Sequence, residues 1–240
     1  MTAQQRKLAR TLHTAPAELD FLAGVPEADL LAFRRQVADY LFESHAQGLH
    51  RIAAATKIVP AALAAKLVGK VRNPVLAAKV AGVLDPGHAV DVAKRLPADF
   101  LAEVAAHLDT ARSERIIGKL PVSLITDVAV RITRRGDWLT LAELVSVVPD
   151  DAAKRTLEAL DPEALVRSGP LVDETEHERL VALISPAKIA EMLRVTAELD
   201  LWDELRPTTA ALPESGKAAA RTAAEQLPPA IRDKALSELT

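Results

Sequence analysis

The chain contains no cysteine, which excludes a disulfide framework, the usual cysteine-bearing zinc sites and a cysteine nucleophile. Aromatic residues make up only 3% of a composition that is 49% hydrophobic. Its apolar content is therefore Ala, Val, Leu and Ile, which suits thin, closely stacked helices better than a thick core. No window approaches eighteen uncharged apolar residues, so no membrane-spanning helix is expected. The N-terminal "MTAQQRKLARTLHTAPAEL" carries three basic residues without a continuous apolar run, unlike a secretory signal. Together with the missing cysteine, this gives a reducing cytoplasm as the expected location.

Acidic residues are missing from one stretch. Between Ser44 and Leu84 there is none, while Arg51, Lys57, Lys66, Lys70, Arg72 and Lys79 give the segment +6. The formal net charge of −3 thus leaves −9 for the remainder. Such polarity can steer an anionic partner to one part of a molecule, or can be a solvated helix face.

What is present is a rhythm. In "RLPADFLAEVAAHLDTARSERIIGKLP" an aliphatic residue precedes proline or aspartate at Leu96, Leu108 and Leu120, twelve residues apart. The beat runs through Leu84, Leu96, Leu108, Leu120 and Ile132, pauses for sixteen residues, and resumes at Val148, Leu160, Val172 and Ile184. Thr196 fills the next slot, and Leu212 follows after a second sixteen-residue pause. Directly after the beat stand Asp85, Pro97, Asp109, Pro121, Pro149, Asp161, Asp173, Ser185 and Pro213. These are helix-start residues: Asp and Ser accept hydrogen bonds from unpaired first-turn amides, and proline has no amide there to leave unpaired. Apolar residues fall four, five, eight and nine places after the beat, as in Phe100, Leu101, Val104 and Ala105. That is a helical stripe.

Each beat therefore predicts one helix of about ten residues, roughly 15 Å long, plus a short turn. Helices this short need neighbours for their stability. The expected fold is all-α, a right-handed α-solenoid or superhelix with a twelve-residue period. Each pause carries a tryptophan six residues after the beat, Trp138 and Trp202, 64 residues apart and the only two in the chain. The same shift aligns Leu96 with Leu160, Asp109 with Asp173, Ile125 with Ile189 and Pro149 with Pro213. This reads as a duplication, residues 84–148 and 148–212.

Upstream, "LAAKLVGKV" from Leu63 and "LAAKVAGVL" from Leu76 are offset copies, so solenoid helices are expected from about Pro60. Glu27 to Thr56 reads as one long helix or two broken near Gly48, after a short helix from about Ala17. Phe21, Phe33, Tyr40 and Phe42 fit an aromatic-rich N-terminal cap closing the stack. The domain reading is thus a cap over 1–58, a solenoid over 59–212 and C-terminal capping helices over 213–240, divided by Pro228-Pro229.

The segment "LDPGHAVDVAKRLPADFLAEVAAHLD" resembles the short-helix superhelix that forms the N-terminal cytoplasmic domain of MgtE-type magnesium channels, over about Leu84 to Thr196. A middle segment of flagellar motor switch proteins is similar. The resemblance implies the fold. Asp150-Asp151 matches an acidic pair frequent in such repeats, but no magnesium site is carried over, and the cofactor is left unknown.

Histidines are the first candidates for chemistry. His45 and His50 are five apart, about 140° around a helix, a poor arrangement for one shared metal. Either could act singly, with Tyr40 and Phe42 walling a flat ligand. Asp173 and His177, four apart, could form half of a metal site, although an ordinary helix-surface pair is the plainer reading. Gly216-Lys217 lacks the remainder of a phosphate loop, and no G-x-S-x-G or other catalytic constellation can be assembled. Arg131, Arg134 and Arg135 beside Trp138 form a cationic cluster with an aromatic face. Its counterpart in the second copy carries Glu198, Asp203 and Glu204, so the two are electrostatically opposite. The tripeptide Arg135-Gly136-Asp137 is expected to form the turn before the Trp138 helix.

Two functional readings follow. One is a non-enzymatic scaffold binding a protein or peptide on a concave helical surface, with the Trp138 cluster as a possible partner surface. The other is a carrier or sensor of an apolar or flat anionic ligand (a lipid, an acyl chain or haem) held between the cap and the basic first repeats by Tyr40, His45, His50, Lys66, Lys70 and Arg72. Peripheral contact with an anionic membrane is a variant of the second. Nucleic acid is disfavoured by the charge outside the basic segment.

Overall fold

The computed structural model describes residues 2–44, 46–56 and 58–239, and within them the chain is all-helical with no strand. It divides into two compact units, Met1–Leu120 and Pro121–Thr240.

In the first unit α1 spans Ala3–Leu12, α2 Glu27–Glu43, α3 Ala46–Thr56, α4 Ala61–Val71, α5 Pro74–Ala81, α6 Pro86–Ala93, α7 Ala98–Ala105 and α8 Thr110–Ile117, with a 3-10 segment at Pro16–Leu22. A capping box starts α1. The Thr2 hydroxyl accepts from the Gln5 amide at 3.3 Å, and the Gln5 side chain accepts from the Thr2 amide at 2.8 Å, so two amides without helical partners are satisfied together. The chain leaves α2 at Ser44 rather than at Gly48, which lies inside α3.

From α3 onward, helices pack on the next but one: α3 on α5 and α5 on α7, α4 on α6 and α6 on α8. Small side chains allow this. Ala64 and Ala65 of α4 meet Val92 of α6, while Ala78 of α5 meets Phe100 and Val104 of α7. The beat residues Leu84, Leu96, Leu108 and Leu120 fill the spaces beside these contacts. Before α3 the pattern changes, because α2 packs chiefly on α1 and on α3.

In the second unit α9 spans Val122–Arg134, α10 Trp138–Val145, α11 Asp150–Ala159, α12 Pro162–Ser168, α13 Glu174–Leu183, α14 Pro186–Leu199, α15 Trp202–Ala210, α16 Glu214–Glu225 and α17 Pro229–Glu238, with a 3-10 turn at Gly169–Leu171. Here too α9 packs on α11 and α11 on α13, α10 on α12 and α12 on α14. Trp202, Leu193, Leu201 and Leu205 join Ala220, Ala223 and Ala224 in one apolar cluster.

All nine residues that follow the beat are N-caps. Asp85, Asp109, Asp161 and Ser185 accept first-turn amides through their side chains. The prolines at 97, 121, 149 and 213 cap by conformation alone, with no side-chain bond, because their fixed φ directs the chain into the first turn. Helix starts recur 64 residues on: Pro86 and Asp150, Ala98 and Pro162, Thr110 and Glu174, Val122 and Pro186, Trp138 and Trp202, Asp150 and Glu214.

Candidate interaction surface

The two pauses are long helices, each ending in a left-handed turn. Gly136 follows α9 with φ 66°, and Asp200 follows α14 with φ 53°. In both turns the next amide reaches back five residues, Asp137 N donating to Ile132 O at 3.3 Å and Leu201 N to Thr196 O at 2.9 Å, which satisfies a carbonyl that the helix end would otherwise leave open. Thr196, the interruption in the beat, thus occupies the place of Ile132 and is fully buried like it.

The tryptophans that follow are treated differently. Trp202 is 7% exposed and belongs to the core cluster, with Lys234 Nζ 5.8 Å from its ring. Trp138 is half-buried at the first turn of α10. The arginine cluster next to it is partly engaged within its own helix: Arg131 donates to the Asp127 carbonyl at 3.0 Å, while Arg134 and Arg135 are exposed. Asp137 caps α10 through Thr140, accepting from its amide at 3.2 Å and its hydroxyl at 2.6 Å. Arg135-Gly136-Asp137 is therefore the turn and cap that position Trp138.

His177 is not on the surface. It is 6% exposed, and its Nε2 donates to the Gly169 carbonyl at 3.1 Å, because that side of α13 lies against the 3-10 turn after α12. Asp173 is the N-cap of α13. Among the described residues no three His, Cys, Asp or Glu side chains are grouped to hold a metal ion. Gly216-Lys217 lies in the first turns of α16, where Gly216 fits against Val181 and Leu212 and Lys217 pairs with Glu214 at 3.7 Å. That is helix packing rather than a phosphate cradle.

Of the residues expected around a ligand, His45 lies outside the described residues, as does Lys57. Tyr40 is 74% exposed on α2, and His50 is exposed on α3. Phe42 is covered by the Arg112 guanidinium, 3.8 Å from its ring centroid; Arg112 also pairs with Asp39 at 2.6 Å and with Asp109 at 3.1 Å. This clamp ties the end of α2 to the start of α8. Lys66 and Lys70 lie one turn apart on α4, and Arg72 ends that helix in the left-handed conformation. The main packing partners of α2 are α1 and α3, and that of α4 is α6, so no main helix contact joins Tyr40 to the α4 lysines.

Another feature emerges instead. Among the described residues, the exposed large apolar side chains are Leu12, Phe21, Phe33, Tyr40, Leu41, Ile52, Ile58, Leu63, Leu67, Val71, Val75 and Leu76, with Leu199 alone beyond them. All but that one lie in the first unit. On α4, residues 63, 67 and 71 follow at four-residue spacing, within about 40° of one another in sequence along the helix. They form a single exposed stripe, with Leu63 50%, Leu67 52% and Val71 64% exposed. Lys66 and Lys70 border it, and Ala64, Ala65 and Val68 face the other way into the core. Covering the rest of the stripe would contribute about 1 kcal/mol per residue, enough to support docking but not to secure it without charge.

The spacing of "LAAKLVGKV" predicts a solenoid helix and does not show this stripe. Its leucines can be read in the sequence; their exposure cannot, because it depends on α2 packing chiefly on α1 and α3. No helix among the described residues is long and apolar enough to cross a membrane. No protein-family model matches the chain, and no curated protein or solved structure matches it.

Proposed function

We propose that the chain is a non-enzymatic scaffold of the α-solenoid class, working in the cytoplasm, that binds a protein partner through its N-terminal unit. The observation that carries this is the gathering of exposed apolar side chains between Leu12 and Leu76, on the part of the chain that also contains the acid-free basic segment. Exposed apolar side chains in a continuous stripe bordered by charge, as on α4, are a usual mark of a docking surface. Tyr40, His50, Lys66 and Lys70 are all exposed, which supports an open surface over a site enclosing a small ligand. The superhelical fold is the reading given by the twelve-residue beat and by the resemblance to the MgtE-type domain, and the next-but-one packing within each unit supports it.

The test is in-cell cross-linking of the full chain followed by native mass spectrometry. The expected result is a stoichiometric protein partner cross-linked to residues of the first unit. Co-purification of a chromophore or an extractable lipid, with no protein partner, would overturn the proposal in favour of a ligand carrier.

A further inference from the structure

The identity of that docking surface can be narrowed at α4, on the premise that the first unit binds protein. Helices there pack on the next but one, so a helix inside a row has neighbours on two sides. α4 packs on α6, while α2, the element two places before it, packs on α1 and α3. α4 therefore begins its row with one side uncovered. That side carries Leu63, Leu67 and Val71, two turns of helix and about 12 Å long.

Shape and charge both specify the occupant. Gly69 lies on the exposed surface of α4 with no atom within 4 Å of where its Cβ would be, so another helix can approach closely beside the stripe. Three aliphatic side chains at four-residue spacing interlock with the same spacing on a second helix. Lys66 and Lys70 flank the stripe, Arg72 ends it, and Lys79 is exposed on α5. No carboxylate occurs between Ser44 and Leu84 to neutralise them. We propose that α4 receives an acidic amphipathic helix from a protein partner, which packs on Leu63, Leu67 and Val71 as the missing member of the row and places carboxylates against Lys66 and Lys70. A bilayer fits less well, because neither the stripe nor α5 beside it bears a tryptophan or phenylalanine to enter the interface.

The experiment uses the full chain and two fluorescent synthetic peptides of about 14 residues, long enough for three helical turns. One has leucines at i, i+4 and i+8 with glutamates beside them; the other has lysines in place of the glutamates. Anisotropy titrations should show binding of the acidic peptide only. Leu67→Asp, at an exposed position, should weaken it about tenfold or more. Lys66→Glu with Lys70→Glu should weaken it several-fold and admit the basic peptide. Arg134→Glu in the second unit should change neither, and circular dichroism checks that each variant is folded.

Equal binding of both peptides, absence of binding by the acidic one, or affinity unaffected by Leu67→Asp would overturn the proposal. So would binding of phosphatidylglycerol vesicles in place of either peptide, or self-association of the chain abolished by Leu67→Asp, which would assign the face to a membrane or to a second copy. A partner still cross-linked to a chain carrying Leu67→Asp, Lys66→Glu and Lys70→Glu together would refute the α4 assignment while leaving the scaffold reading intact. Loss of any protein partner from the wild type would refute both.

Discussion

Phe100 is the largest apolar side chain the first unit fully encloses, at 1% exposure against Ala78 and Val104. Its small neighbours cannot expand into the space it fills, so Phe100→Ala should cost about 3 to 5 kcal/mol, read from urea denaturation followed by circular dichroism. Tyr40, 74% exposed, should tolerate alanine within about 0.5 kcal/mol. A large loss there would mean that its ring is covered after all. Glu238 tests electrostatics at the same scale. Lys234 donates to it at 2.7 Å and Arg206 at 3.1 Å, and these bonds hold its carboxyl below the ordinary value of 4.5. Because the folded pKa is depressed, the stabilisation is complete above 4.5 and disappears as pH falls through the lowered value. The link joins α17 to α15, so the protection of α17 amides, with the intrinsic pH dependence of exchange divided out, should fall on acidification below pH 4.5. Glu238→Gln should show above that pH the same low protection that the wild type shows below it. Identical pH profiles for the two proteins would show that the link contributes nothing to holding α17.

At the scale of elements, the left-handed turns after α9 and α14 offer a matched comparison. Gly136 has φ 66° and costs nothing there, while Asp200 has φ 53° and carries a side chain. Gly136→Ala should destabilise by about 1 kcal/mol and Asp200→Gly should stabilise by a smaller amount, both measurable as shifts in the denaturation midpoint. The reverse signs would show that the turns are held by something other than backbone conformation. These turns also show what the sequence made legible. Asp85, Asp109, Asp161 and Ser185 announce helix starts because their side chains bond to amides three residues away or fewer, a local interaction written in local sequence. The spacing allows one long helix or two broken near Gly48, whereas α2 ends at Ser44; α1 carries no beat in the sequence, although Thr2 and Gln5 form its capping box. Arg112, which holds Asp39 and Phe42 across the first unit, had no signal at all, since nothing in the spacing links residues so far apart. The burial of His177 and the exposure of Leu67 depend likewise on which helix lies opposite.

At the scale of the whole molecule, burial is uneven, and stability against local opening should follow it. α2 buries only Leu30 along its length and α5 only Ala78, whereas α11, α12 and α14 each bury four residues. Opening a helix exposes the surface it had covered, so helices with little buried surface open at lower free energy. Native-state hydrogen exchange should therefore show amides of α2 and α5 exchanging on the order of a hundredfold faster than those of α11, α12 and α14. The basic, acid-free segment falls in the same region, and its like charges repel one another across α3, α4 and α5. Adding the acidic helical peptide should consequently slow exchange in α4 and in α6, on which α4 packs, while leaving α14 unchanged. Equal protection of α2 and α5 with α11, α12 and α14 before the peptide is added would mean that the exposed apolar stripe is already covered in the free protein, and the surface would then have no vacancy for a partner to fill.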